Sequence, residues 1–469
     1  MPIPVISIAQ MRDWELATWA AGRAESDVIH RVGMEVAVAA LSLTRPRDRV
    51  LVLAGKGNNG ADAKSAVEAV RDRNVELFEV TEPGTDLGRL KSLLETRPDL
   101  IIDGLFGIGL NRSLSQEWVD FINAVNHAGL RVVSVDVPSG LNADTAESYG
   151  AVIRANVTLT VGAPKKGLLS SRAWPFVGRL RVASEVGLIP CPIRGDVLWN
   201  LDADFRGYPP EREVSGHKGS FGHVAIFAGS PGYHGAAVLA ARGAQRAQPG
   251  LITLYAMESI YHVTAAQLQA VMVSPWQPLA KVPAGRDAIL VGPGLAAEDL
   301  PDQVKLLTRV LWRDAEMPVV ADASALDWVP MERPRRDAIR VMSPHPGEAA
   351  RLLRSTVQEI QANRVDAVRK ISERYGNAWV ILKGHQTVIG RHTGEVVVNS
   401  SGNPHLAQGG SGDLLAGYVT GLLAQPALRA DVLRTLQFAV WHHGRAADRL
   451  NGTKPGWIIE DLAEELGNR

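Results

Sequence analysis

Residues 50–60 read Val50-Leu51-Val52-Leu53-Ala54-Gly55-Lys56-Gly57-Asn58-Asn59-Gly60, an unbroken apolar run passing straight into a glycine-rich turn. A run without polar alternation fits a strand buried on both faces, as in a parallel sheet covered by helices. Working outward, Val75–Val80, Leu100–Asp103, Arg131–Val137 and Val157–Val161 repeat the pattern, with helical spacing over Ser26–Leu43, Gly60–Arg73 and Gln116–Ala128. A second series runs through Gly222–Ala228, Leu251–Ala256, Ala288–Val291, Pro318–Ala321, Ile339–Met342 and Ala378–Leu382. Between the two, residues 202–220 are polar, carry Pro209-Pro210 and show neither period, which marks a linker near residue 207. The expectation is an α/β protein of two three-layer αβα domains, 1–206 and 207–469, each large enough for its own core.

Composition narrows the function. Of 469 residues, 46% are hydrophobic, and 50 basic side chains balance 50 acidic ones. That apolar fraction excludes a disordered chain, and zero formal charge argues against nucleic acid or a membrane surface as partner. A single cysteine, Cys191, rules out internal disulfides and cysteine-rich zinc sites. The start of the chain lacks the pattern of a secretory leader, and no apolar run approaches the roughly 18 residues of a membrane span. The expected setting is cytoplasmic.

Gly55-Lys56-Gly57-Asn58-Asn59-Gly60 is a literal G-x-G-x-x-G, with Glu79 ending the next strand where an acidic ribose ligand would stand. A dinucleotide-binding reading follows, but Asp62 would bring negative charge to the phosphate end. Two later strand ends redirect it. Leu100–Asp103 ends in Asp103-Gly104-Leu105-Phe106-Gly107-Ile108-Gly109-Leu110, and the following strand in Asp136-Val137-Pro138-Ser139-Gly140. Carboxylates at the carboxyl ends of parallel strands converge on the crevice where such sheets bind ligands.

Together these motifs resemble the NAD(P)H-hydrate epimerase domain, the N-terminal half of the YjeF family, with a Rossmann-like fold. The resemblance implies that Asn58, Asn59, Gly60, Ala61 and Asp62, with Gly107, Ile108, Gly109, Leu110, Asn111, Arg112 and Ser113, bind the hydrated nucleotide. It implies that Asp136 contacts the nicotinamide part, which makes Asp136 the candidate catalytic carboxylate, and that K+ is held near Asn59, Asp103 and Ser139. Inverting the carbon that carries the added water needs a proton shuttle and stabilisation of positive charge, which suits a carboxylate. Ala61, Ala63 and Ile108 stand where the family has glycine, glycine and threonine. A non-catalytic binding module is therefore the competing expectation for this domain.

The second site centres on Gly409-Gly410-Ser411-Gly412-Asp413, directly ahead of an apolar helix. Such a turn offers backbone N–H groups and the positive helix end to an anion, while Asp413 can accept a proton from an attacking hydroxyl. Lys383-Gly384-His385-Gln386-Thr387 and Ser343-Pro344-His345-Pro346-Gly347-Glu348 follow two other strands, and no Walker sequence occurs. With Gly292-Pro293-Gly294 and Asp322-Ala323-Ser324-Ala325-Leu326, these motifs resemble the ribokinase-like ADP-dependent NAD(P)H-hydrate dehydratase domain. The resemblance implies hydrate contacts from Ala236, Gly294, His345 and Asp413, and nucleotide contacts from Lys383, Gly384, His385, Gln386, Thr387 and Gly412, with Asp413 the catalytic base on the reading just given. It also implies ADP as cosubstrate with Mg2+, hydrated NADH and NADPH as substrates, and a homo-oligomer. An ordinary ribokinase-like small-molecule kinase is the alternative. His442-His443, in a helix expected over Ala430–Leu450, lacks metal-binding spacing and suits a core role.

Overall fold

The computed structural model describes residues 2–276, 284–298, 300–334 and 338–468. It divides into two compact units, Ile3–Gly195 and a larger one formed mainly by Asp196–Arg469.

In the first unit, strands β1 (Arg49–Ala54), β2 (Asn74–Glu79), β3 (Leu100–Gly104), β4 (Val132–Val135), β5 (Val157–Val161) and β6 (Arg179–Ala183) form a parallel sheet. Their order is β2-β1-β3-β4-β5-β6. Helices α1 (Ile8–Ala20), α2 (Glu25–Leu41), α3 (Asn58–Ser65), α4 (Pro83–Glu95) and α5 (Gln116–His127) accompany it. Leu90, Leu94, Phe121, Ile122 and Val125 of α4 and α5 share one core with Leu51, Leu53 and Phe78. The chain grows outward from β1 to β2, then crosses to place β3 on the other flank of β1. Strand order reverses there, and the carboxyl ends of β1 and β3 open a crevice.

The second unit contains β7 (Val197–Trp199), β8 (His223–Phe227), β9 (Leu251–Ala256), β10 (Met272–Pro275), β11 (Ala288–Val291), β12 (Val319–Ala321) and β13 (Arg340–Met342). It continues with β14 (Trp379–Leu382), β15 (Val388–Gly390) and β16 (Val396–Val398). These lie in the order β7-β16-β15-β14-β13-β12-β11-β8-β9-β10. The block from β14 to β10 is parallel, β15 is antiparallel to both neighbours, and the order reverses between β8 and β11. Helices α6 (His234–Arg246), α7 (Asp302–Asp314), α8 (Pro346–Leu353), α9 (Ser411–Leu423) and α10 (Val432–Thr453) carry much of the remaining chain. Helix α9 is buried along nearly its whole length, with Gly417 set 1.9 Å, for an added Cβ, from the Ala240 carbonyl of α6.

Several sequence expectations shift. The division falls ahead of β7 instead of at residue 207, because Val197–Trp199 pairs with Val396–Val398 and Trp199 is buried there. The stretch around residue 207 is packed: Phe205 is buried against Phe438 and Trp441, and the Tyr208 hydroxyl meets Thr435 on α10. The helix expected over Gly60–Arg73 ends at Ser65, with a separate short turn at Glu68–Val70. The strand expected over Arg131–Val137 stops at Val135 because Asp136 adopts a φ of 60°.

Candidate active sites

At the first crevice the glycines serve close backbone approach. A Cβ on Gly55 would lie 2.1 Å from the Leu105 carbonyl oxygen, and one on Gly60 would lie 2.0 Å from that of Gly55. The first contact clamps the loop after β1 to the loop after β3, and the second folds the loop after β1 onto itself. Ala61 and Ala63 both lie inside α3, where an L side chain costs no backbone strain, and Ala63 is wholly buried.

Asp103, at the end of β3, is fully buried and well bonded. Its Oδ2 accepts from the Ser134 hydroxyl (2.7 Å) and the Ser139 amide (3.0 Å), and its Oδ1 from the Ser139 hydroxyl (2.6 Å) and the Leu105 amide (3.3 Å). Burial raises its carboxyl above the ordinary value while the serine hydrogen bonds oppose the rise. Beside it, Asn59 is buried with neither side-chain polar atom paired among the described residues, and its Oδ1 lies 3.2 Å from where a Cβ of Gly107 would stand. Asn59, Asp103, Gly107 and Ser139 are thus brought together. Asn58 instead donates to Glu25 (2.6 Å), and Ile108 accepts from Arg12 through its carbonyl (3.4 Å). Gly109 lies exposed with Asn111, Arg112 and Ser113 on the outer part of the loop, and Leu110 is half-buried.

Asp136 and Asp62 complete the crevice. Asp136 is paired with Lys165 at 2.7 Å, a residue without site signature in the sequence. Asp62 is buried, and desolvation, aided by Asp136, Glu15 and Glu25, pushes its carboxyl up to about 8. Glu15 on α1 is raised by burial and by Asp136. The crevice therefore holds Asp136 paired with a cation and a neighbouring carboxyl, Asp62, kept protonated at neutral pH.

In the second unit the strand ends converge in the same manner. After β8, the Gly229 amide donates to the Pro293 carbonyl (2.8 Å) and the Ser230 hydroxyl to the Gly294 carbonyl (2.7 Å). Gly294 has φ 64°, and its Cβ would lie 2.8 Å from that of Ala236, so the two expected hydrate contacts are neighbours. Lys383, after β14, donates to Asp322 Oδ1 at 2.6 Å, and the Ser343 hydroxyl joins the same oxygen at 3.0 Å. Burial opposes the Lys383 charge, yet Asp322 and Glu348 hold its ammonium above the ordinary value.

Gly410 starts α9 with φ 91°, and a Cβ on Gly412 would lie 3.3 Å from Lys383 Nζ. The Lys383 ammonium thus lies beside the glycine turn at the amino end of α9. Asp413 stands in the first turn of α9, and no described residue donates a hydrogen bond to its carboxyl. Burial, with Asp322 and Glu348 against Lys383, raises that carboxyl to about 6. Helix α8 is capped by His345, whose Nδ1 accepts from the Gly347 amide (3.0 Å) while Glu348 accepts from the His345 amide (2.7 Å). The Lys383–Thr387 loop is held from beneath by Arg364, which donates to the Leu382 and Lys383 carbonyls at 2.8 and 3.1 Å. In that loop Gly384 has φ 123°, Gln386 has φ 51°, and Thr387 donates to the Gly384 carbonyl (3.0 Å). Burial, with Arg364, lowers His385. Of His442-His443, His443 is fully buried and lowered to about 4, a neutral core histidine.

Lys165, Glu15, Asp322, Glu348 and Arg364 gave no sequence signal of their own as site residues. Asp322 and Glu348 lie within motifs already singled out, so their place at strand ends could have found them. Among the described residues no group of three His, Cys, Asp or Glu side chains is placed to hold a metal, and no helix is long and apolar enough to cross a membrane.

Residues 224–466 match the NAD(P)H-hydrate dehydratase family, and residues 74–167 match the family described as YjeF-related protein N-terminus. A bifunctional NAD(P)H-hydrate repair enzyme from Coxiella burnetii is 30% identical, with 97% of both chains covered. One from Gloeobacter violaceus is 34% identical over 95% of this chain and 93% of its own. Among solved structures, an ADP/ATP-dependent NAD(P)H-hydrate dehydratase from Bacillus subtilis, co-crystallised with ATP and Mg2+, is 30% identical with a TM-score of 0.50. It covers 55% of this chain and 91% of its own. A match over more than half of the chain, joined to relatives that follow it nearly end to end, means that this chain belongs to the bifunctional NAD(P)H-hydrate repair enzyme family.

Proposed function

We propose that the chain repairs hydrated NADH and NADPH in two steps: the unit Ile3–Gly195 interconverts the R and S hydrates, and the unit from Asp196 onward dehydrates the S form using ADP. The observation that carries the reading is Asp413, a carboxyl raised to about 6 and unpaired at the amino end of α9, beside the glycine turn and Lys383. A base of that strength is largely ionised at neutral pH and still basic enough to take a hydroxyl proton.

In the dehydratase step Asp413 takes the proton of the ring hydroxyl as that oxygen attacks the terminal phosphate of ADP. The turn amides and Lys383 neutralise charge on the transferred phosphoryl group. AMP departs as the phosphoryl group is transferred, and loss of phosphate and of a ring proton then restores the reduced nicotinamide. Gly294, Ala236 and His345 would line the hydrate, and Gly384, His385, Gln386, Thr387 and Gly412 the nucleotide. Mg2+ bound with the nucleotide would supply charge neutralisation on its phosphates.

In the epimerase step Asp136 is the base and Asp62 the proton-bearing neighbour. Ala61 and Ala63, being helical, give no reason against catalysis. The unpaired Asn59 amide, with Asp103 and Ser139, makes an oxygen-bearing set that fits K+, which would fix the loops after β1 and β3. The balanced charge and lone cysteine support a cytoplasmic enzyme of small molecules, acting on neither nucleic acid nor membranes, and we expect a homo-oligomer.

The test incubates the whole chain with a mixed R/S hydrate, ADP and Mg2+, in K+ and in Na+. Full consumption with recovery of reduced-nicotinamide absorbance supports both activities. A halt at the S fraction removes the epimerase, a phosphorylated hydrate without phosphate release indicates a kinase, and equal rates in Na+ remove the K+ site.

A further inference from the structure

The first crevice contains a lysine that cannot itself reach a ligand. Lys165 has no exposed surface, and its ammonium meets three acceptors: Asp136 Oδ1 (2.7 Å), the Val161 carbonyl (2.8 Å) and the Thr160 hydroxyl (3.1 Å). An ammonium has three protons, so none is left over. Its single ion-pair partner among the described residues is Asp136.

Asp136 is held just as tightly from one side. Among the described residues, every hydrogen bond to its carboxylate falls on Oδ1, which accepts from Lys165, from the Val161 amide (3.1 Å) and from the Thr160 hydroxyl (3.3 Å). Among the described residues nothing donates to Oδ2. The backbone of Asp136 is left-handed, with φ 60°, a conformation that persists in a non-glycine residue only where its surroundings over-determine it. Three donors on one carboxylate oxygen are such a determinant.

The geometry points to Lys165 as the positioning residue of the epimerase site: it pins Oδ1 of Asp136 against β5 so that Oδ2 alone is presented to the hydrate. Lys165 sets where the base sits and touches no substrate. The inference rests on the epimerase reading above.

The experiment uses the full chain without ADP and follows R-to-S conversion above the spontaneous rate, for the wild type and for Lys165→Met. The expected result is a kcat lower by about 100-fold with KM changed by less than about threefold, the split expected when a group outside the binding surface misplaces the base. A KM that rises in parallel would overturn the inference, because the lysine would then contact the hydrate; so would an unchanged kcat. Losing one member of a buried pair can prevent folding. Hydrate affinity is therefore compared between Asp136→Asn and the double variant Lys165→Met/Asp136→Asn, in which both charges are gone. Equal dissociation constants uphold the inference, and a tenfold weaker double variant overturns it. A wild type no faster than the spontaneous reaction defeats the epimerase reading itself, whereas an active wild type with an indifferent Lys165→Met defeats this inference alone.

Discussion

Burial pushes Asp413 and Asp62 upward, and pH separates what each does. As the proposed base, Asp413 would need to be ionised, so dehydration should decline as pH falls through about 6, seen as the acid limb of kcat/KM against pH. Asp413→Asn keeps the shape but not the base, and should lower turnover by about 10²–10⁴-fold while ADP binding persists in a calorimetric titration. Asp62 works on stability. With a folded value of about 8 against roughly 4 unfolded, the folded state holds a proton that the unfolded chain has released, so stability falls as pH rises through that window. Each unit crossed costs up to about 1.4 kcal/mol. Asp62→Asn removes the dependence, and its melting temperature should gain on the wild type between pH 5 and pH 8. At this scale the sequence shows Asp413, Asp136 and Lys383 because each follows an apolar strand or a glycine turn. It hides Lys165, 29 residues from the carboxylate it meets, since an ion pair formed across a sheet leaves no local pattern.

Among elements, α9 joins geometry to chemistry most directly. Gly410 opens it with φ 91°, and an added Cβ would sit 2.3 Å from Leu239 Cδ1. Gly410→Ala should therefore cost about 1–3 kcal/mol and weaken ADP binding by distorting the anion-facing turn. Gly409→Ala is the control: it meets nothing within 4 Å, and thermal melting with a nucleotide titration should find it close to wild type. The parallel strands are legible in sequence because strands covered on both faces are written as continuous apolar runs. The pair β15 and β16 escapes such reading, being three residues each, too short for a period to register. The premature end of β4 at Val135 was equally hidden, because the positive φ of Asp136 comes from its tertiary bonds and not from its residue type.

For the whole molecule, the two-sheet plan was legible and the seam between the sheets was not. Polar, proline-bearing residues 202–220 look like a connector, whereas Phe205 and Tyr208 spend their aromatic surface on α10 and β7 pairs with β16 well ahead of them. A fragment beginning at Asp196 should thus fold and dehydrate the S hydrate alone. One beginning at Arg206 loses the buried Trp199, Asn200 with its bond to Asn399, and Phe205, and should melt several degrees lower. Equal melting temperatures for the two fragments would show that β7 contributes nothing to the second unit.

The buried pair of Asp136 and Lys165 also constrains how this chain can change over time. Either residue lost alone leaves its partner's charge buried without a counter-ion, so the loss weighs on stability as well as on chemistry. A lineage abandoning the first activity would find single-step decay at these positions opposed by lost stability, and exchange of both residues for a matched neutral couple the easier route. Reading positions 136 and 165 jointly in any descendant therefore tells whether the site is still maintained as a working crevice or has become scaffolding.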